Sequence, residues 1–302
     1  MRILSDLADY ESAGAASVAI GKFDGIHRGH RRLIEASVRE AGALPGGKCV
    51  VIVIDSPRTL ILTHEERRRV LSDLGVDIVI EQKVDPSFMS TSADEFIRTV
   101  LSGKLHAERV VVGRDFRFGF RRAGDSMMLS ARGPEMGYEA VIIPPVMIGD
   151  EKISTTRIRE EIGRGCMEAA EEMLGYRYFL EGEVIKGKQL GRSLGFPTAN
   201  MAAAGEKLLP PFGVYYSISG WKGRSGIYGM TNIGNNPTVK DRDTKVETHM
   251  FDISDDLYGQ RLKVELLHHA RPEIRFDSVE LLAAQLKADR EKGMGYFKLD
   301  SR

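Results

Sequence analysis

Apolar positions in the first half of the chain come in short unbroken runs, at Ser17 to Ile20, Cys49 to Ile54, Val76 to Ile80, Val110 to Val112 and Ala140 to Ile143. Runs of this length, mostly rich in Val and Ile, predict strands buried on both faces. Between them the period lengthens. Leu33, Ile34, Val38 and Ala41 recur at helical spacing, while Thr63 with Glu66 and Ser92 with Glu95 have the spacing of a capping box. Such alternation predicts an α/β domain with a parallel sheet covered by helices, whose ligands bind beyond the carboxyl ends of the strands.

After Leu174-Gly175 the period becomes two. From Phe179 onward, Gly213 to Ser219, Gly226 to Ile233, Val246 to Phe251 and Leu262 to Leu267 read as half-buried strands. They predict an antiparallel barrel or a sandwich. One helix is expected to follow, starting at Asp277 with Glu280 at capping-box spacing. It carries Val279, Leu282 and Leu286 on one face, and Gly293 and Gly295 end it. The domains are therefore expected at 1–177 and 178–302.

Composition narrows the function without choosing it. At 302 residues the chain is long enough for two cores, and its 43 basic residues balance 43 acidic ones. No global field draws in nucleic acid or an anionic membrane, so neither is expected as a partner. No apolar run approaches the ~18 residues of a spanning helix. Cys49 and Cys166 have no metal-like spacing, and Cys49, opening an apolar run, is expected in the core. The expected location is the cytoplasm.

The chemistry begins at Gly21 to His30, which reads Gly-Lys-Phe-Asp-Gly-Ile-His-Arg-Gly-His on a strand-to-helix turn. The helix N-terminus offers unpaired N–H groups to a phosphate, and His27 and His30 can point at the same anion. Two further segments end near the same rim. In Gly113 to Gly124, Arg114, Arg117, Arg121 and Arg122 interleave with Phe116, Phe118 and Phe120. That composition suits a flat ring with a phosphate, or stacked single-stranded RNA, or a plain surface hairpin. Ser154-Thr155-Thr156-Arg157 opens a helix and forms a second phosphate site, or simply a cap.

In the second half, Gly187, Gly191 and Gly195 permit close backbone approach, and Pro197 precedes the oxygen donors Thr198 and Asn200. Such a loop suits phosphates with magnesium, or it is a glycine-rich turn between strands. Alternation places Glu247, His249 and Phe251 on one face, as a general base near a flat substrate or as a structural pair.

Taken together, these segments resemble the bifunctional bacterial riboflavin kinase and FAD synthetase family over essentially the whole chain. The opening turn is similar to its Gly-x-Phe-Asp-Gly-x-His-x-Gly-His signature, and Val112 to Gly119 to its flavin-side loop. Ser154 to Arg157 is similar to its Ser-Ser-Thr-Arg element, with Thr155 in place of the second serine. Gly191 to Asn200 resembles the kinase loop Gly-Arg-x-Leu-Gly-Phe-Pro-Thr-Ala-Asn. Asn232-Ile233-Gly234, Pro237-Thr238, Val246 to His249, Asp256 to Gly259, Arg271-Pro272-Glu273 and Phe276-Asp277-Ser278 follow in register.

The resemblance implies a Rossmann-like nucleotidyltransferase domain, then an antiparallel β-barrel with a terminal helix. It implies that riboflavin is phosphorylated by ATP to FMN in the barrel, and that FMN is adenylylated by a second ATP to FAD, releasing pyrophosphate. For adenylyl transfer it implies His27, His30 and Arg157 as catalytic donors. Gly21, Phe23, Asp24, Gly25, Gly29, Ser154, Thr155 and Thr156 would lie at the nucleotide, and Asp115 and Phe116 at the flavin. For the kinase it implies Glu247 as base and Arg271 near the flavin. Gly187, Gly191, Arg192, Gly195, Pro197, Thr198 and Asn200 would meet the nucleotide, with Mg2+ on Thr198 and Asn200. Two positions depart from the pattern. Val53-Ile54-Asp55-Ser56-Pro57 stands where many members have Phe-x-Pro-His-Pro, and Lys22 where a small or amide residue is common. The alternatives are a kinase alone with a degenerate nucleotide-binding first module, and a flavin-sensing RNA-binding regulator, against which the charge balance argues.

Overall fold

Among the described residues ten strands precede the barrel: β1 (Arg2–Leu4), β2 (Ala16–Gly21), β3 (Lys48–Ile54), β4 (Ile78–Gln82), β5 (Ala107–Gly113), β6 (Arg117–Phe118), β7 (Gly124–Asp125), β8 (Glu139–Ile143), β9 (Met147–Ile148) and β10 (Glu151–Lys152), the last closing a small hairpin on β9. The computed structural model describes residues 1–12, 14–54, 59–187, 191, 194–235, 244–253 and 255–300, and the chain divides into two compact units, Met1–Thr155 and Thr156–Arg302.

In the first unit β1-β4-β3-β2-β5-β8 form one sheet, and every pairing is parallel. The expected runs are all strands. Unexpected is β1, whose three residues are too few to show a period. Val18, Val50, Ile52, Ile80 and Val110 are completely or almost completely buried, packed with Phe96, Ile97, Leu101 and Leu129. Cys49 belongs to this interior, where burial pushes its thiol up to about 11.

Helix α1 (Arg28–Ala43) follows β2 and buries Leu33, Ile34 and Ala41. The expected capping box is formed at α2 (His64–Asp73), where the Thr63 hydroxyl accepts from the Glu66 N–H and the Glu66 carboxylate accepts from the Thr63 N–H. After α3 (Pro86–Ser90), Ser92 caps α4 (Ala93–Glu95) by accepting from the Glu95 N–H at 3.2 Å. That turn continues as a π-helix over Phe96–Lys104, and α5 (Ser126–Met136) follows later. From β2 the chain adds β3 and β4 on one side, then returns to place β5 on the other. The order reverses between β2 and β5, so the carboxyl ends of these two strands open the crevice where such sheets bind ligands.

The second unit holds most of α6 (Thr155–Arg164), then α7 (Met167–Leu174) and six strands. These are β11 (Phe179–Ile185), β12 (Ala199–Ala202), β13 (Gly213–Trp221), β14 (Arg224–Asn235), β15 (Thr244–Met250) and β16 (Arg261–Pro272). They close in the order β11-β12-β15-β14-β13-β16, all antiparallel, so the barrel is realised and the sandwich is not. The period-two faces are as expected, with Val246, Thr248, Leu262 and Val264 fully buried. Hydroxyls on this buried side satisfy one another, Ser217 with Thr231 at 2.8 Å and Thr231 with Thr248 at 3.0 Å.

The terminal helix α8 (Val279–Asp300) differs from expectation at both ends. Ser278, not Asp277, caps it, its hydroxyl accepting from the Leu281 N–H at 3.3 Å. Val279 is 48% exposed, while Leu286 packs on the barrel with Val214, Tyr216 and Phe297. Gly293 and Gly295 do not end the helix. A Cβ on Gly293 would lie 3.1 Å from the Tyr216 ring, so the glycine permits the helix to lie close against the barrel, and Phe297 beyond it is buried. Tertiary packing here overrides the glycine helix penalty of about 1 kcal/mol.

Candidate active sites

At the end of β2 the backbone turns through positive φ at Phe23, Gly25 and Ile26, with φ of 47°, 85° and 34°. For a bulky or β-branched residue that conformation costs roughly 1–3 kcal/mol and persists only where packing enforces it. Here Phe23 and Ile26 are almost fully buried, and the Asp24 carboxylate accepts from the Ile61 N–H at 2.8 Å. The turn delivers His27 to the N-cap of α1, where its Nδ1 accepts from the His30 N–H at 3.2 Å. The His27 and His30 rings stack with centroids 3.6 Å apart and planes 16° apart, and the Phe23 ring meets His30 edge-on at 5.4 Å.

A cavity of about 250 Å³ opens at this point, lined by Gly21, Phe23, His27, Gly29 and His30 from the turn and by Phe116, Lys152, Ser154 and Thr155 from elsewhere in the first unit. The helix N-terminus supplies positive potential without a formal charge. Both imidazoles are neutral near pH 7. Burial, then the Lys152 charge, lowers His27 to about 4. Burial, then His27 and Lys152, holds His30 well below the usual range. Because the His27 Nδ1 accepts, its neutral ring carries the proton on Nε2 and presents a donor. His30 Nδ1 is buried with no partner among the described residues, which marks a binding site more than a finished core.

Two loops complete the wall. Phe116 stacks on the buried Phe118 at 5.6 Å and 13°, giving the cavity a flat aromatic side. The surrounding arginines face solvent. Arg114, Arg121 and Arg122 are exposed, and Arg117 pairs with Asp125 at 2.9 Å across the β6–β7 hairpin. Asp115 forms an ion pair with Lys152. Burial would raise its pKa, but the hydrogen bond and charge of Lys152 outweigh that and hold it below the usual value. At the start of α6 the Thr155 hydroxyl lies 3.5 Å from the Asp24 carbonyl oxygen. Thr156 is exposed and Arg157 half-buried on the same helix, both in the second unit. Lys22 is exposed and does not line the cavity, and Asp55, Ser56 and Pro57 lie outside the described residues.

In the barrel the strand register builds the second site. Asn200 on β12 pairs with Glu247 on β15, which pairs with Asn232 on β14; the row continues to Val214 on β13 and Arg271 on β16. Directly paired residues of antiparallel strands share a face, so these side chains stand side by side. A cavity of about 240 Å³ lies over the row, with Glu247, Asn232 and Arg271 among apolar walls from Phe196, Val214, Leu282 and Leu286. A second cavity, of about 310 Å³, is lined by Gly187, Pro197, Thr198, Asn200 and Tyr258. Thr198 and no other described residue lines both.

Local contacts hold this junction. His249 Nδ1–H donates to the Pro197 carbonyl at 2.9 Å, and burial lowers the pKa of its ring, so His249 fastens the loop in its neutral form. The Asn200 Nδ2 donates weakly toward Thr198 Oγ1 at 3.3 Å, while its Oδ1 is buried with no partner among the described residues. A Cβ on Gly187 would come within 2.6 Å of the Asn200 amide, so only glycine allows this approach. Gly191 lines the first cavity and Gly195 adopts a φ of 82°, whereas Arg192 lies outside the described residues.

Three residues of these sites escape sequence reasoning. Asp289 accepts from Arg271 Nε at 3.0 Å and Nη2 at 2.7 Å and from Gln285 at 2.7 Å, fixing Arg271 against α8. Its signal was an acid three residues after Leu286, on the buried stripe. Asn232 belongs to the Asn-Ile-Gly motif but acquires its place only through pairing with Glu247. Lys152 carries no local signal, since only the β9–β10 hairpin brings it to the histidines.

Two family models match the chain, one described as FAD synthetase over residues 9–157 and one as riboflavin kinase over residues 174–297. The chain is similar to the bifunctional riboflavin kinase/FMN adenylyltransferase of Escherichia coli (strain K12), with 33% identity over 291 residues, covering 93% of each chain. It is similar to the protein of the same description from Haemophilus influenzae, 33% identical over 290 residues, covering 93% of this chain and 94% of the relative. Listeria monocytogenes has another, 32% identical over 292 residues, covering 93% and 92%. A solved structure described as a macrolide-efflux protein from Streptococcus pneumoniae superposes with a TM-score of 0.83 and 31% identity, covering 96% of this chain and 97% of that one. Among the described residues no helix is long and apolar enough to cross a membrane.

Proposed function

We propose that this chain, which belongs to the bifunctional riboflavin kinase/FMN adenylyltransferase family, performs two successive transfers at separate sites, with the adenylyltransferase module over 1–177 and the kinase module over 178–302. The observation that carries the kinase half is Thr198 standing between an aromatic- and aliphatic-walled cavity with Glu247 and a polar cavity with Asn200. Riboflavin fits the first and ATP the second. The 5′-hydroxyl attacks the γ-phosphorus, Glu247 accepts the hydroxyl proton, and ADP leaves. Such transfer depends mainly on positioning and charge stabilisation. Arg271, held by Asp289, forms the flavin side, and Asn232 stands beside Glu247.

The donors Thr198 and Asn200 fit magnesium, since Asn200 offers a buried oxygen with no hydrogen-bond partner among the described residues, and hard cations of this size take few protein oxygens and retain water. Bound there, magnesium would neutralise charge on the nucleotide phosphates. No group of three or more His, Cys, Asp or Glu side chains suited to a metal occurs among the described residues.

In the first unit, FMN is the nucleophile and is already anionic, so no strong base is required. The site must stabilise charge on the α-phosphate and on departing pyrophosphate. The His27 Nε2–H, the amides opening α1 and the Ser154–Thr155 hydroxyls serve that end, with Arg157 following on α6. Phe116 suits the face of the flavin ring, with Asp115 beside it. The ligands are riboflavin, FMN, FAD and ATP, and the working location is the cytoplasm. Incubation of the purified chain with riboflavin, ATP and magnesium, followed by separation of the flavins, tests the reading. FMN and then FAD are expected. FMN accumulating alone at high ATP would leave only a kinase.

A further inference from the structure

The first-unit cavity has a charge problem. ATP brings several negative charges, yet both imidazoles facing it are neutral near pH 7. Among the described lining residues Lys152 is the one lysine or arginine, and Asp115 is the one carboxylate. The two are paired with each other, so in the structure the ammonium is engaged by a carboxylate rather than by a phosphate. Their side chains are 42% and 69% exposed, respectively. An ion pair that open to water is weak and readily exchanged for a stronger counter-charge. A polyphosphate is such a counter-charge.

We propose that Lys152 is the working cation of this cavity, released from Asp115 by a bound nucleotide and engaging the β- and γ-phosphates. This rests on the adenylyl-transfer reading and assigns a residue to it. In the transfer, an oxygen of the FMN phosphate bonds to the α-phosphorus. The bond from that phosphorus to the bridging oxygen breaks, and its electron pair leaves with pyrophosphate. Negative charge therefore grows on the group Lys152 holds, without any proton transfer. Asp115 keeps the ammonium at the mouth of the cavity before nucleotide arrives and competes with the phosphates for it. The electrostatic reach of Lys152 is already visible, because its charge helps depress the basicity of both histidines.

The test measures FAD formation from FMN and ATP with magnesium, with riboflavin phosphorylation by the same samples as the folding control. Lys152→Gln should lower kcat/KM for ATP by about 10²-fold, the usual loss for one charge-stabilising donor. Lys152→Arg should recover most of it, because the cation is what matters. Asp115→Asn should lower the KM for ATP severalfold, and in a Lys152→Gln background should no longer do so. Wild-type kcat/KM in Lys152→Gln would overturn the assignment while adenylyl transfer stood. So would a KM for ATP raised by Asp115→Asn as much as by Lys152→Gln, since the carboxylate would then be the working group. An unsubstituted chain that makes FMN but never FAD would overturn both this assignment and the reading beneath it.

Discussion

His27 has two separable duties, and two substitutions pull them apart. Its Nδ1 caps α1 by accepting from the His30 N–H, and the residue lines the cavity. His27→Ala removes the cap, worth about 1 kcal/mol, and the stacked ring pair, worth about 1 kcal/mol more. Asparagine is a favoured N-cap, so His27→Asn should recover the first share. Both variants lose the Nε2–H donor, so kcat/KM for FAD formation should fall about 10²–10³-fold in each, while FMN formation is retained. The same residue sets an acid dependence. The native ring titrates at about 4 against 6.5 for an unperturbed one, so as pH falls the unfolded chain takes up the proton first. The stability from the neutral ring is complete above about pH 6.5 and drains away towards pH 4. By pH 5 the loss is about 2 kcal/mol. Hydrogen exchange of the α1 amides at pH 7 and pH 5 should show it in the wild type and, by about that amount, not in His27→Asn. An imidazole titrating near 6.5 by NMR, or wild-type FAD formation in His27→Asn, would refute the neutral-donor account.

Three other outcomes follow from named contacts. Glu247→Gln should reduce FMN formation by roughly 10²–10⁴-fold, as for loss of a general base, while FAD formation from added FMN continues; product chromatography separates the two. Gly187→Ala should push the Asn200 amide aside and lower kcat/KM for FMN formation by about 10²-fold, the scale of a misplaced positioning group, read by steady-state kinetics with FAD formation as control. Glu81 is shared by the buried Arg67, at 3.4 Å, and by Arg68. Burial would raise its pKa, but those guanidiniums outweigh it and hold the carboxyl low, so its contribution is present at neutral pH and lost in acid. Glu81→Gln should cost about 3–5 kcal/mol, as for one partner of a buried pair, seen as a lowered unfolding midpoint of the first unit.

Much of the architecture was legible because it depends on nearest neighbours. Val and Ile runs mark doubly buried strands whatever surrounds them, and the Thr63–Glu66 box closes on itself within one turn. Period two in the second half set which residues face inward, and Thr248 and Glu247 fall on opposite sides as that period requires. The Gly21–His30 segment was legible as a strand-to-helix turn at a helix start for the same local reason.

Tertiary structure decided the rest. Whether period-two strands close into a barrel depends on β11 meeting β16, residues far apart in sequence. The end of α8 depends on what Gly293 meets, and it meets Tyr216. Arg271 acquires its orientation from Asp289, and Glu247 its neighbours from strand register. The charge of the histidines shows the division most clearly. Sequence determined that His27 and His30 share the first turn of a helix, because spacing alone does that. Only the fold decided that they are neutral, because the free energy of an imidazolium is set by the water it loses and the cation it faces, and burial, to which the Phe23 ring against His30 contributes, and Lys152 bring about both from outside the helix.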